Sequence, residues 1–240
     1  MPMERLRIIT PVKDSVDLAL ETAKAVLSSR LAVPYSYILY NDYSTPENTA
    51  RLEEASRQMG FQLVNLADIT RHPSPNYLLV LQRERKLCLA EKAALLIVES
   101  DVVVKADTLQ GLADGARLRA DCGMAASVTT DEQGTINYPY LYARGKENQV
   151  LDTRRHCSFC CTLLSPLLLE RVDFDLLDST KSWFDVTISH RSLDAGLHNL
   201  LFTNLPVLHR PHGSRPWKQL KHTNPLKYYW RKFTKGLDKI

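Results

Sequence analysis

Two carboxylates one residue apart, Glu99 and Asp101, close the apolar run Leu95-Leu96-Ile97-Val98, with Ser100 between them. A run this apolar reads as a buried strand, and such a strand delivers its acids to a sheet edge. Like charges held together in a protein interior are costly unless a cation or a hydrogen-bonded ligand lies between them. The placement therefore predicts a solvent-open site for a metal or for sugar hydroxyls. Another acid, Asp42, follows the β-type run Tyr35 to Tyr40. Cys157, Cys160 and Cys161 lie in an apolar stretch and read as buried thiols in a strand. A zinc site would want a second C-x-x-C or histidines paired at ligand spacing, and the sequence has neither.

The elements that must position these side chains alternate. Arg5 to Thr10 is β-type and ends at Pro11, and Asp14 to Ser29 then sets Val16, Ala19, Ala23 and Val26 at helical spacing. Tyr35 to Tyr40 predicts a strand, Asn41 to Pro46 a capped turn, Glu47 to Met59 a helix and Phe61 to Leu66 a third strand. Beyond Pro73-Ser74-Pro75 a helix is expected over Tyr77 to Lys92, then the acidic strand, then a helix over Ala106 to Arg119. Met124 to Val128 and Phe159 to Leu164 read as strands, Lys181 to Ala195 as a helix, and a last strand ends near His209. The polar, turn-rich stretch 129–156 is an excursion. This alternation implies right-handed crossovers and a mainly parallel sheet flanked by helices. Ligands of such sheets bind beyond the carboxyl ends of the strands, where Thr10-Pro11, Asn41-Asp42 and Glu99-Ser100-Asp101 all fall.

Composition removes several function classes. A chain of 240 residues, 44% hydrophobic and 24% charged, suits one soluble α/β domain. With nine glycines it carries no G-x-G-x-x-G, P-loop or G-x-S-x-G pattern, so nicotinamide, P-loop and α/β-hydrolase chemistry lose their usual support. The N-terminus lacks the apolar stretch of a signal peptide and no window reaches membrane-spanning length, so a cytoplasmic protein is expected. The net charge of +4 is uneven: from Arg210 onward nine Lys or Arg face the single acid Asp238, a tail of +8 on a body of −4. In Tyr228-Tyr229-Trp230-Arg231-Lys232-Phe233 aromatics and cations alternate as they do in segments that lie on anionic lipid. The other reading is a C-terminal helix packed on the domain through Leu226, Tyr229, Trp230 and Phe233.

Four motifs, in order and spacing, resemble the family 2 glycosyltransferases with the GT-A fold. Ile8 to Asp14 is similar to the family's first strand and P-x-x-N turn, and Asn41-Asp42-Tyr43-Ser44 to its D-D-G-S segment. Leu95 to Asp101 resembles the D-x-D strand, and Phe184-Asp185, Arg191, Gly196 and His209 resemble the series that closes the catalytic domain. Asn41, Tyr43, Asp14, Glu84 and Glu99 depart from those patterns. The resemblance implies a single GT-A domain over 1–210, with a nucleotide-binding half at 1–128 and an acceptor half at 129–210, followed by a basic aromatic extension at 211–240. It also implies an inverting transfer from a nucleotide-diphosphate sugar to a glycan or lipid-linked saccharide, as in polysaccharide biosynthesis, with no nucleic-acid partner.

Residue by residue, the resemblance assigns the nucleotide end to Thr10, Pro11, Lys13 and Asp42, phosphate neutralisation to Arg71 and Arg83, and ribose or sugar hydroxyls to Glu99 beside Ser100. Asp101 becomes the ligand of a divalent Mn or Mg ion, with His209 as a further ligand. Asp185 becomes the general base, and Trp183 and Phe184 either stack on an acceptor sugar or belong to the core. Two alternatives stay open. A sugar-phosphate nucleotidyltransferase would also need acids at a sheet edge, though it typically has a glycine-rich basic loop where this chain has Pro11-Val12-Lys13-Asp14. The same fold could also serve a non-catalytic binding protein.

Overall fold

The computed structural model describes residues 3–210 and 224–234. Strands β1 (Arg5–Val12), β2 (Tyr35–Asn41), β3 (Gln62–Asn65) and β4 (Ala93–Val98) run parallel in the order β3-β2-β1-β4. Helices α1 (Val16–Leu27), α2 (Pro46–Met59) and α3 (Tyr77–Glu91) make the crossovers. The local chemistry is visible in α2: Thr45 at its N-cap accepts from the Asn48 N–H at 3.3 Å, Pro46 opens its first turn, and Gly60 ends it at φ 81°.

Past β4 the pairing changes. β8 (Cys161–Leu164) runs antiparallel between β4 and β6 (Cys122–Thr130), and β6 is parallel to β9 (His198–His209). Two short strands, β5 (Val102–Val103) and β7 (Val150–Asp152), pair antiparallel with β9. Strands β1 to β4, β6 and β9 share one direction, so the sheet is mainly parallel as expected. The remaining helices are α4 (Thr108–Arg117), α5 (Pro166–Arg171), α6 (Phe184–Asp194) and α7 (Pro225–Thr234). No helix among the described residues is long and apolar enough to cross a membrane.

The core has two layers because helices cover both faces of the sheet. Leu6, Ile8 and Leu39 pack with Val16, Ala19, Leu52 and Leu112 of α1, α2 and α4. Ile9, Ile38, Leu95 and Ile97 face Val80, Leu81, Leu168 and Ile188 of α3, α5 and α6. All six residues of β4 are buried, which is why it reads as an unbroken apolar run.

Pro11 does not end β1. Leu6 N–H bonds to Pro34 and Val12 carbonyl to the Asp42 N–H, so even-numbered residues of β1 face β2 and Pro11 faces the β4 side. There the pairing has already stopped at Ile9 with Ile97, and the missing N–H costs no ladder bond. The two-residue β5, the three-residue β7 and the short α5 are too brief to carry a sequence period.

Candidate active site

At the end of β4, Glu99 to Val102 form a turn closed by the Val102 N–H on the Glu99 carbonyl, 3.2 Å. The turn feeds β5, where Val102 is the cross-strand partner of His209, and the Arg210 N–H bonds to the Asp101 carbonyl at 3.0 Å. On the other side the Glu99 N–H bonds to the Cys160 carbonyl at 2.9 Å as β8 begins. Backbone pairing thus fixes three chain segments far apart in sequence.

Their side chains meet. Glu99 Oε2 is 3.4 Å from Cys160 Sγ, Cys160 Sγ is 3.9 Å from His209 Nε2, and His209 Nε2 is 3.6 Å from Asp101 Oδ2. His209 Nδ1 lies 3.1 Å from the Tyr138 carbonyl. A carbonyl only accepts, so Nδ1 carries a proton and Nε2 is turned toward the acids and the thiol. His209 and Asp101 are only 7% and 9% exposed. Burial, followed by the charges of Asp101 and Asp185, pushes the Glu99 carboxyl up to about 7, against the pull of His209 and the Cys160 thiol. Burial works against the His209 cation, but the Asp101 hydrogen bond and charge, with Glu99 behind it, raise its pKa above the usual imidazole value. The cluster brings carboxylate, thiol and imidazole donors together, and such donors suit a cation.

Asp185 is the second residue of α6, where its Oδ1 accepts from the Val186 N–H at 2.9 Å beside the positive end of the helix dipole. Its charge reaches both Glu99 and Tyr77. Tyr77 opens α3, with its ring edge-on to Phe159 at 6.2 Å and tilted against Phe184 at 6.5 Å. Its hydroxyl is buried without a hydrogen-bond partner among the described residues, and burial, then the Glu99 and Asp185 charges, move its pKa well upward.

The other expected residues fall at different depths. The Asp42 carboxylate accepts from Ser74 Oγ at 2.8 Å and from Asn76 through its N–H at 2.9 Å and its side-chain amide at 2.8 Å. Lys13 is exposed and Pro11 half-buried at neighbouring strand tips. Thr10, expected in the pocket floor, is instead fully buried with its hydroxyl 3.0 Å from that of Tyr37, because its position in β1 faces the α1 and α2 layer. Of the two readings of Phe184, acceptor contact or core, its burial fits the core: as the first residue of α6 it turns onto Tyr77 and the sheet, whereas Trp183 before it is half-buried. Ser100 is buried in the turn. Arg71 is exposed after β3, and Arg83 is exposed on α3. Neither arginine pairs with a carboxylate among the described residues.

Three features were not expected from the sequence: Cys160, Tyr77 and a buried ion pair. Arg7 bonds to Glu84 through two N–H groups at 2.7 and 3.0 Å and to Glu91 at 2.8 Å, while Glu84 also accepts from the Tyr40 hydroxyl. Glu84, where the chain departs from the family's pattern, was the signal. The signal for Cys160 was its position just ahead of a buried strand, which becomes informative only once that strand is known to pair with β4.

No protein-family model matches the sequence, and no curated protein matches it. Among solved structures, a mannosyltransferase from Pyrobaculum calidifontis in complex with GDP-Man and Mn²⁺ superposes with a TM-score of 0.60 at 13% identity over 97% of this chain. S. aureus TarS, residues 1–349, superposes with a TM-score of 0.55 at 14% identity over 85%. The chain spans 65% and 57% of the lengths of those two proteins. At such identities the likeness is one of fold. This chain shares the fold of those two structures, with the acidic turn at the carboxyl edge where ligands of parallel sheets bind.

Proposed function

We propose that the protein is an inverting glycosyltransferase of the family 2 type, which moves a sugar from a nucleotide-diphosphate donor to a glycan or lipid-linked saccharide. The observation that carries this reading is the meeting of Glu99, Asp101 and His209 at one strand edge within reach of the Asp185 charge. Asp185 accepts the proton of the acceptor hydroxyl as that oxygen bonds to the anomeric carbon. The bond from that carbon to the diphosphate breaks on the opposite face, releasing the nucleoside diphosphate. Asp101 and His209 would hold a divalent cation, Mn or Mg, whose charge would offset that growing on the diphosphate. Glu99 orients sugar or ribose hydroxyls.

In this reading residues 1–128 bind the nucleotide and 129–210 the acceptor. Asp42 has about one acceptor position left for a base after its bonds to Ser74 and Asn76, with Pro11 and Lys13 beside it. Arg71 and Arg83 are exposed cations for phosphate, and the half-exposed Trp183 ring is the surface for an acceptor sugar. Anionic membrane contact is proposed for α7, where Leu226, Tyr229 and Trp230 are 85%, 58% and 71% exposed beside Lys227. The remainder of the basic extension, 211–223 and 235–240, lies outside the described residues.

Calorimetric titration with UDP and GDP, with and without Mn²⁺, in the wild type and Asp101→Ala tests the reading. Metal-dependent binding lost in the variant is expected. Absence of nucleotide binding, together with no turnover on a donor and acceptor panel, would sink it.

A further inference from the structure

Among the described residues, the one grouping of three or more His, Cys and acidic side chains that could hold a metal includes a thiol: the donor atoms of Glu99, Cys160 and His209 all lie within 4.8 Å of one another. We propose that Cys160 is itself a ligand of the cation site, so that the site takes a thiophilic ion such as Zn²⁺ or Co²⁺ in preference to Mn²⁺ or Mg²⁺. The inference rests on the cation site of the proposed transferase but not on its donor or acceptor, and it replaces Mn or Mg there and makes Glu99 a ligand rather than a hydroxyl partner.

Geometry supports it first. In a tetrahedral site with metal–sulfur near 2.3 Å and metal–nitrogen or metal–oxygen near 2.0 Å, sulfur stands about 3.5 Å from the other donors. The Cys160 Sγ distances to Glu99 and His209 are 3.4 and 3.9 Å. An octahedral all-oxygen site for Mg²⁺, with bonds of 2.0–2.1 Å, brings adjacent donors to about 2.9 Å, closer than any of these. Three protein donors, one thiolate, one imidazole and one carboxylate, leave a fourth tetrahedral position open to Asp101 or to an exogenous oxygen.

The donors are also held in place before any ion arrives. Backbone bonds tie Glu99 to Cys160 and Asp101 to Arg210, and the Tyr138 carbonyl orients His209 with Nε2 inward, as outer partners of metal-bound histidines do. The remaining four cysteines are buried and free, and none of them stands against both an acid and an imidazole. Thiolate ligands favour zinc and its soft neighbours, whereas oxygen-only sites suit Mg²⁺ and Mn²⁺. Binding displaces the thiol proton to solvent as the sulfur–metal bond forms, with no change in oxidation state.

The test is an absorption titration of the purified chain with Co²⁺, without nucleotide, in the wild type, Cys160→Ser, Cys161→Ala and His209→Gln. The expected result is a near-ultraviolet thiolate-to-cobalt band that Zn²⁺ displaces and excess Mn²⁺ does not, present in Cys161→Ala and absent in Cys160→Ser. Zinc affinity in Cys160→Ser should fall by more than the roughly 10- to 100-fold that loss of an outer partner costs. Should Cys160→Ser fail to fold by circular dichroism, loss of the band in folded His209→Gln still assigns it to this site. Bound Co²⁺ without a thiolate band in the wild type, or a band that survives in Cys160→Ser, would overturn the proposal and leave nucleotide binding with Mn²⁺ standing. No binding of any of these ions would also overturn it, while the transferase reading is decided separately by the nucleotide titration.

Discussion

Asp42 grips Asn76 at two points, taking the backbone N–H and the side-chain amide on different oxygens, and Asn76 is the residue from which α3 begins. A carboxylate at the tip of β2 therefore sets the start of the helix that presents Tyr77 to Glu99 and Asp185. Asp42→Ala should cost about 2–3 kcal/mol in urea unfolding, because hydrogen bonds to a charged acceptor are lost and Asn76 is buried. Hydrogen exchange should speed up over 72–78. Unchanged protection there would refute the anchoring role.

Tyr77 carries a hydroxyl with no hydrogen-bond partner among the described residues. Removing a buried unsatisfied group is neutral or stabilising, so Tyr77→Phe should unfold at the same or higher denaturant concentration, by up to about 1 kcal/mol. If the hydroxyl instead bonds to substrate, transfer efficiency should drop about 10-fold, equivalent to about 1.4 kcal/mol. A less stable but fully active Tyr77→Phe would contradict both expectations.

The buried pair of Arg7 and Glu84 sits far from the acidic turn in function. Burial opposes the Arg7 charge, yet the hydrogen bonds and charges of Glu84 and Glu91 outweigh it and hold its pKa above the ordinary guanidinium value. Glu84→Gln should destabilise by about 1–3 kcal/mol, since Arg7 loses its two-point charged partner and keeps only Glu91. The double variant Arg7→Met/Glu84→Met should lose much less than the two single changes combined, as a denaturation double-mutant cycle would reveal. Additive losses would mean that the pair does not act as a unit.

Asp14 holds the first turn against the second: its Oδ1 accepts from the Thr45 N–H at 2.7 Å and the Asn48 amide at 3.1 Å, and its N–H donates to Ser44 Oγ at 2.9 Å. The Thr45 bond leads in holding its carboxyl below the ordinary aspartate range. A depressed folded-state pKa contributes stability that is complete above the unfolded value and disappears as pH falls through the folded one. Asp14→Asn tolerates the φ of 57° and removes only the charge. Wild type should therefore exceed Asp14→Asn in stability at pH 6, with the gap closing below about pH 4. A gap that persists at pH 2 would assign the difference to something other than the carboxylate.

For α7, sedimentation with vesicles of phosphatidylcholine alone and with phosphatidylserine added separates two outcomes. Binding should need the anionic lipid, weaken as salt rises, and fall in Leu226→Ala/Trp230→Ala. Equal binding to both vesicle types, or none to either, would rule out the electrostatic contact.

Read alone, the residues determined the alternation of strands and helices through β4, because the helical spacing of α1 and the unbroken apolar run of Leu95 to Val98 are local patterns. They also determined that Asp42, Glu99 and Asp101 lie at strand ends, since each follows directly on its strand. What only the tertiary structure decided is which distant groups join them. The antiparallel insertion of β8 puts Cys160 opposite Glu99, and the two-residue β5 brings His209 to Asp101. Neither pairing has a local period, because both depend on the order of strands across the sheet. The burial of Thr10 was hidden, and that of Phe184 left open, for the related reason that a side chain's face is set by what packs above it, not by its neighbours along the chain.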